Sequence, residues 1–244
     1  MLEFLSLSVF QNQTNNKKAA IFFALFFPLF TILALWIDSV SFFDNYFDGR
    51  NLTNFLAITY FFLIFFSAQS YLRKLMFVMV FLSYVGELLF CKIVGMYHYR
   101  TDDIPLYVPF GHAIVYASGF ILSEMAFFKT HDSKLKKIFL VLFSLLFLCV
   151  GIFLKDIFSL LFGLFFFLLL KRKKWQNVYY FIAICVIFIE MVGTFFKCWT
   201  WVPKTFGFIP AANPPMGAVF FYAGGDVLLI KIVSYWKNKT EIIK

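Results

Sequence analysis

Charged side chains are scarce in this chain, since Asp, Glu, Lys and Arg together make up 14% of its 244 residues. Soluble domains carry about 25% charged residues, so the composition argues against a water-soluble fold. Hydrophobic residues reach 62%, and runs such as 61–66 and 165–168 are apolar on every side of a helix. Such segments face lipid or other buried helices. We therefore predict an all-α integral membrane protein with the lipid bilayer as its partner.

Patterns that accompany metal, nucleotide and covalent chemistry are missing as well. None of the three histidines forms the H-x-x-x-H or H-x-x-H-H pattern of membrane iron sites, and the four cysteines have no metal-ligand spacing. No phosphate-binding glycine loop, Ser-His-Asp order or nucleophilic cysteine context occurs. We expect no cofactor and no disulfide framework. A metal held by Glu87, His98 and His112 is the weaker alternative to a metal-free site.

Eight apolar runs approach or reach the length of about 20 residues that crosses a bilayer. They predict helices at 20–37, 53–72, 76–95, 108–128, 137–154, 157–171, 177–197 and 214–233. Residues 1–19 lack the order of a signal peptide, so we expect a short interfacial segment there. We interpret 129–136 as a cytoplasmic linker and 234–244 as a cytoplasmic tail.

The basic residues lie in short segments between the apolar runs, a pattern of membrane topology rather than of nucleic-acid binding. Successive loops between the eight predicted spans lie on opposite sides of the membrane. When the 22 Lys and Arg residues are assigned to sides in this way, sixteen fall on one side and six on the other. Because cytoplasmic loops carry the excess of positive charge, both termini are predicted to be cytoplasmic. The expected location is a bacterial inner membrane, with no nucleic-acid partner despite the net charge of +9.

An internal repeat organises the polar residues. Residues 109–119 and 215–225 share the frame P-x-G-x-x-x-x-Y-A-x-G, with five identities at fixed spacing. Upstream in each copy, an acidic residue within an apolar run is followed by an aromatic-x-aromatic triplet. We predict two four-helix repeats, 20–128 and 137–233. Because each has an even number of helices, the repeats would be parallel, related by an axis along the membrane normal.

Three carboxyl groups fall deep inside the predicted helices, where an ionisable residue is costly and marks a functional candidate. A fourth, Glu124, approaches the cytoplasmic end of its predicted helix and is interpreted as interfacial. Glu87 and Glu190 occupy equivalent places in the two repeats, and Asp226 follows Gly224-Gly225 in the last helix. Burial favours the protonated form of a carboxyl, which suits a general acid, so we predict catalytic roles for all three. The alternative is a set of hydrogen-bonded carboxyls that fix helix packing.

Aromatic and polar side chains cluster in the two loops on the side predicted to be non-cytoplasmic. Each aromatic pair lies two to three turns from a buried Glu, and aromatic faces beside an acid also stabilise a carbocation. An aromatic belt at the membrane interface is the alternative interpretation. The predicted substrate-binding residues are Tyr97, His98, Tyr99, His112, Trp199, Trp201 and Asn213.

The second loop, with Trp199-Thr200-Trp201-Val202-Pro203 and then Gly207-Phe208-Ile209-Pro210, resembles the W-x-Y…G-x-x-P pattern of small integral-membrane lycopene cyclases. Glu87 with the segments 95–99 and 104–105 is similar to parts of membrane carotenoid hydratases. The resemblance covers about forty residues in each repeat. It implies protonation of a polyene or polyprenyl substrate in the bilayer, without metal or nucleotide.

The chain departs from the cyclase pattern at one place. The cyclases follow their proline with paired glutamates, whereas this chain has Pro109-Phe110-Gly111-His112 and Pro215-Met216-Gly217. Under the resemblance, Glu87, Glu190 and Asp226 would have to supply the acid instead.

Three functions therefore stay open. The first is an enzyme that acts on an isoprenoid or other lipid, a hydrophobic substrate, by acid–base chemistry of the cyclase, hydratase or isomerase type. The second is a proton-coupled transporter of a small solute or lipid. The third is a non-catalytic assembly subunit of a membrane complex.

Overall fold

A computed structural model describes the backbone of residues 2–101 and 103–242 and the side chains of 16–101 and 103–236. These residues form ten α-helices and two short two-stranded ribbons. The helices are α1 (Leu2–Ile37), α2 (Val40–Asn45), α3 (Arg50–Ser67), α4 (Ser70–Glu87), α5 (Tyr107–Ser123), α6 (Ala126–Thr130), α7 (Asp132–Phe153), α8 (Ile157–Arg172), α9 (Asn177–Phe195) and α10 (Val219–Ile242). A π-helix, Leu88–Ile93, continues α4, and a 3₁₀ turn, Met216–Ala218, precedes α10.

Five of the helical segments in the described residues are long and apolar enough to cross a membrane. They are Asn16–Ile37, Ser70–Ile93, Asp132–Phe153, Asn177–Phe195 and Met216–Trp236, and Tyr107–Ser123 is a shorter apolar helix. Many large apolar side chains on their outer faces are exposed, as a lipid-facing surface requires. The all-α membrane prediction is confirmed at this level. The count of eight spans, the repeat and the orientation stay predictions.

Several helix ends differ from the sequence-based bounds. The helix predicted at 53–72 ends at Ser67, because Ala68 and Gln69 are extended and the Arg73 guanidinium caps the freed carbonyls of Phe66 and Ala68 at 2.7 and 2.8 Å. The next helix accordingly begins at Ser70 rather than at residue 76. At the amino terminus, the backbone of 2–19 continues α1 without a break, and the side chains of 1–15 lie outside the described residues.

Helix α5 lies at the centre of the bundle, in contact with α1, α3, α4 and α9. Small residues make this position possible, since Ala113 and Ala117 are fully buried. A Cβ on Gly119 would come within 2.6 Å of the Ile182 Cα, so the backbones of α5 and α9 touch there. Close approach at small residues is how apolar helices associate in lipid.

A β-ribbon joins the two parts of the chain. Strand β1 (Tyr97–Tyr99) pairs antiparallel with β2 (Trp199–Trp201), with His98 opposite Thr200. Two flanking bonds, Arg100 N to Cys198 O at 2.8 Å and Val202 N to Met96 O at 3.0 Å, extend the pairing. The other ribbon, β3 (Lys204–Thr205) with β4 (Ile209–Pro210), lies in the loop that follows.

An ion cluster holds the loops beside the ribbon. Asp38, fully buried after α1, accepts bonds from Arg50 Nε at 3.1 Å, Arg100 Nη2 at 2.9 Å and Tyr107 Oη at 2.8 Å. Arg50 also donates to the Thr101 hydroxyl. Two guanidinium groups and a hydroxyl compensate one buried carboxylate, as a buried charge requires. The cluster thereby ties α1, α3, β1 and α5 together.

Candidate functional site

A cavity of about 460 Å³ lies in the bundle beside the β1–β2 ribbon. This volume is within the range of small-molecule sites. Its walls are mostly apolar and come from α1, α3, α4 with its π-helix, α5, α9, the ribbon and α10. Glu87, Glu190 and Asp226 all line it, so the structure brings the three predicted acids to one cavity.

Glu87 ends α4 and is 4% exposed. Its Oε2 accepts a bond from Tyr97 Oη at 2.8 Å and another from Tyr99 Oη at 2.6 Å. These two tyrosines point the same way because alternate residues of a strand share one face. The other oxygen, Oε1, lies 2.8 Å from Nε2 of His112, which comes from the first turns of α5.

Glu190, on α9, is 6% exposed and has the same kind of surroundings. Its Oε2 accepts bonds from the indole Nε1 atoms of Trp199 at 2.9 Å and Trp201 at 3.0 Å. Its Oε1 accepts a bond from Tyr222 Oη at 2.9 Å, on α10. In both clusters a strand supplies two donors to one carboxyl oxygen and a helix supplies a partner to the other.

Two ring contacts connect the clusters. The His112 and Tyr222 rings stack with centroids 5.0 Å apart and an interplanar angle of 18°. The Tyr97 and Trp201 rings, opposite each other in the ribbon, are 4.8 Å apart. The two carboxyl groups are therefore parts of one continuous site.

Asp226 shares the cavity but stands apart from this network. It lies four residues after Tyr222, about 6 Å further along α10. The residue is 2% exposed, and its Oδ2 has no hydrogen-bond partner among the described residues. A buried carboxyl oxygen without a partner is costly, because burial removes its hydration and no protein group replaces it.

Two of the predicted substrate-binding residues take other positions. The side chain of His98 is exposed and lies outside the cavity wall, because its strand neighbours occupy the inward face. Asn213 is also exposed, and its Oδ1 accepts a bond from the Trp201 backbone N–H at 2.9 Å. Asn213 thus positions β2, whereas Tyr97, Tyr99, His112, Trp199 and Trp201 line the cavity.

Tyr222 is a site residue that the sequence prediction missed. A signal for it was present, since it is the fixed tyrosine of the P-x-G-x-x-x-x-Y-A-x-G frame. The matching tyrosine of the first copy, Tyr116, also lines the cavity. The helix partners therefore come from different places in the frame, its fourth position for His112 and its eighth for Tyr222. One turn of helix separates those positions, so both face the same way.

The arrangement is suited to proton transfer. An indole N–H only donates, so Oε2 of Glu190 is held as an acceptor and any proton on that carboxyl belongs to Oε1. Around Glu87 every partner, whether tyrosine hydroxyl or imidazole, can both donate and accept a hydrogen bond, as a group that passes a proton must. Among the described residues, no group of three His, Cys, Asp or Glu side chains is placed to hold a metal ion.

Comparison of the chain with family models, with curated proteins and with solved structures gave no match.

Proposed function

We propose that this protein is a membrane-embedded enzyme that acts on an isoprenoid or other lipid by acid–base chemistry. Glu87 with His112 would exchange a proton with the substrate, and Glu190 would supply a fixed negative charge. One observation carries the proposal: two buried carboxyl groups, each held by three partners, face one cavity with apolar and aromatic walls.

The apolar walls favour a lipid substrate over a polar one. A site for a water-soluble solute needs hydrogen-bonding groups along the substrate, because polar groups lose water on entering. Here the charged groups are confined to the carboxyl clusters and Asp226. Most of the remaining wall is apolar, and the hydroxyls of Thr53, Ser83 and Tyr107 already bond to protein groups. The weak likeness to carotenoid cyclases and hydratases agrees with this substrate class.

The proposed reaction begins with protonation of a carbon–carbon double bond. The proton comes from the Glu87–His112 pair and forms a new C–H bond with the electrons of the double bond. The resulting cation would lie among the rings of Tyr97, Trp199 and Trp201 and near the Glu190 carboxylate, which stabilise positive charge. Loss of a proton from a neighbouring carbon gives an isomer. Attack of a second double bond of the same substrate on the cation, followed by that proton loss, gives a ring, and capture of water followed by loss of one of its protons gives an alcohol. Each outcome returns one proton to the pair, so the enzyme is unchanged.

The repeat belongs to the same proposal. Glu87 and Glu190 each have two partners from a triplet and one from a helix, and the two triplets pair antiparallel about His98 and Thr200, as strands related by a twofold axis do. We infer eight spans in two parallel repeats, with both termini in the cytoplasm because of the basic residues. The site would then lie toward the non-cytoplasmic face of a bacterial inner membrane.

The test is expression in a polyene-producing host, followed by comparison of the extracted lipids with and without the protein. A new or depleted lipid that depends on Glu87 supports the proposal, and the Glu87→Gln variant supplies that comparison. Glu124→Gln is the matched control, since Glu124 is half-exposed and pairs with Lys129 away from the cavity. Identical lipid profiles for the host with and without the protein would count against the proposal.

One observation favours a proton-coupled transporter as the second candidate. Asp226 places a third carboxyl about 6 Å further along α10, which extends the acidic groups through the bundle. Transport would require water to reach Glu87 from both faces. A cysteine in place of Gly111 that reacts with water-soluble reagents from one face only would exclude this function.

A further inference from the structure

The wall of the cavity between α4 and α10 faces the outside of the bundle. Three of the residues that line the cavity are also exposed at the surface: Val85 at 60%, Leu89 at 43% and Leu228 at 47%. Val85 and Leu89 lie on α4 and its π-helix, and Leu228 lies on α10. A side chain that lies both in the cavity wall and on the outer surface of the bundle marks the rim of an opening.

Glycines leave this side of the cavity unfilled. Gly86 on α4 and Gly224 and Gly225 on α10 all line the cavity. A Cβ added to any of them would meet no atom of the described residues within 4 Å. The glycines of tight helix contacts behave differently, since a Cβ on Gly119 would clash with the backbone of Ile182. The three glycines therefore border space rather than a packed interface.

An aromatic contact bounds the opening at the ribbon end. Phe90 of the π-helix and Phe221 of α10 meet edge to face, with ring centroids 4.9 Å apart. Along both elements this contact lies nearer the ribbon than the glycines do. Departures from α-helical geometry of this kind often occur at functional sites, because the wider turn displaces side chains from their regular positions.

We infer that the substrate enters sideways from the bilayer, through the opening between α4 and α10, as an apolar chain end. This rests on the proposed function and specifies its substrate. The rim residues are apolar, and a charged or strongly polar end would lose its hydration on passing them. The cavity has the size of a small-molecule site, so a long lipid inserts one segment and its remainder stays in the membrane. The reactive bond therefore lies near the apolar end, away from any polar headgroup.

The test uses the purified protein in nanodiscs that contain a phosphatidylcholine with a diazirine at the end of its palmitoyl chain. After illumination, peptide mass spectrometry locates the labelled residues. We expect labels on residues that line the cavity, such as Met79 and Gly111, as well as on lipid-facing residues. Labels confined to the outer surface of the wild-type protein would overturn the inference without any variant.

Blocking the opening supplies the second arm of the test. Leu228→Trp at the rim and Gly225→Leu inside it should each lower cavity labelling about tenfold, equivalent to about 1.4 kcal/mol. Leu168→Trp is the matched control, because Leu168 is 50% exposed on α8 and lies outside the cavity wall. An equal loss in the control, or unchanged labelling when the opening is blocked, would show that lipid does not use this route.

Failure of this inference is distinguishable from failure of the proposed chemistry. Labelling does not require proton transfer, so Glu87→Gln should retain it. A host with unchanged lipids but a labelled cavity would contradict the proposed enzyme and leave the lateral entry standing. A substrate turned over equally by wild type and Leu228→Trp would contradict the entry and leave the chemistry standing.

Discussion

The Glu87 and Glu190 clusters have the same number of hydrogen-bond partners but partners of different kinds. Two tyrosine hydroxyls and an imidazole surround Glu87, whereas two indoles and one tyrosine hydroxyl surround Glu190. Hydroxyl and imidazole groups exchange protons, and an indole N–H only donates. The two clusters thus differ at equivalent places in the scaffold: groups that both donate and accept hydrogen bonds surround Glu87, whereas Oε2 of Glu190 is held by two groups that only donate.

The difference predicts unequal consequences when the acids are neutralised. Glu87→Gln should lower product formation about 10³-fold, because it removes a general acid, whose contribution is typically 10²–10⁴-fold. Glu190→Gln should cost only about tenfold, because the amide oxygen still accepts the indole bonds and only the charge is lost. The measurement is lipid product per amount of protein, with Glu124→Gln as control. Equal losses of product formation would mean that Glu87 and Glu190 have the same role in the reaction.

The helix partners of the two acids should show a smaller contrast. His112→Gln keeps a hydrogen-bonding group near Glu87 but cannot exchange a proton, so we expect about a 10²-fold loss. Tyr222→Phe removes one bond to Glu190 and should cost about tenfold. The measurement is lipid product per amount of protein for the two variants. Equal losses for His112→Gln and Tyr222→Phe would place His112 outside the proton path.

Glycines next to the two acids should sharpen the comparison through stability. A Cβ on Gly193 would lie 2.0 Å from Cη2 of Trp199, whereas a Cβ on Gly86 meets no described atom within 4 Å. Gly193→Ala should therefore lower the unfolding free energy by about 1–3 kcal/mol, as overpacking does. Gly86→Ala should leave it unchanged or raise it by up to about 1 kcal/mol, because alanine favours a helix over glycine. Thermal unfolding in detergent compares them. Equal melting temperatures would show that the Glu190 cluster accommodates an added methyl group as easily as the Glu87 cluster does.

The smallest effect concerns Asp48, in the loop between α2 and α3. Burial alone would raise the pKa of Asp48, but its bonds to Arg100 and the Arg50 backbone, with the charges of both arginines, lower that pKa below its usual range. A lowered folded pKa stabilises the fold above the unfolded value of about 3.9, and the stabilisation disappears as the pH falls through the folded pKa. Because Asp48 is half-exposed, Asp48→Asn should cost at most about 1 kcal/mol at pH 7. The wild type and Asp48→Asn should differ in melting temperature at neutral pH and have the same melting temperature at strongly acidic pH. A difference that persists in acid would contradict an electrostatic origin.

The sequence predicted the parts of the site that depend on local pattern. Apolar runs indicated the helices, and the repeated acid and aromatic triplet identified Glu87, Glu190 and four of the aromatic side chains that bind them. Burial of a carboxyl in an apolar run requires partners, so this inference needed no tertiary information.

The rest depended on contacts between distant segments. The pairing of β1 with β2 is set by tertiary packing, and it decides that His98 points outward while Tyr97 and Tyr99 point inward. The frame gave no reason to prefer Tyr222 over Tyr116 as a partner of Glu190. The inferred opening between α4 and α10 depends on which glycines border the cavity instead of a packed contact, and helical spacing alone does not determine this.

The antiparallel ribbon has a mechanical consequence. Its backbone bonds fasten the segment after α4 to the segment after α9, directly above the two carboxyl groups. A rotation of one part of the bundle against the other that preserves these bonds has its axis at the ribbon. Such a rotation displaces the carboxyl clusters least and the far ends of α4 and α10 most. If lipid enters between α4 and α10 as inferred, that opening would widen while Glu87 and Glu190 keep their positions relative to each other.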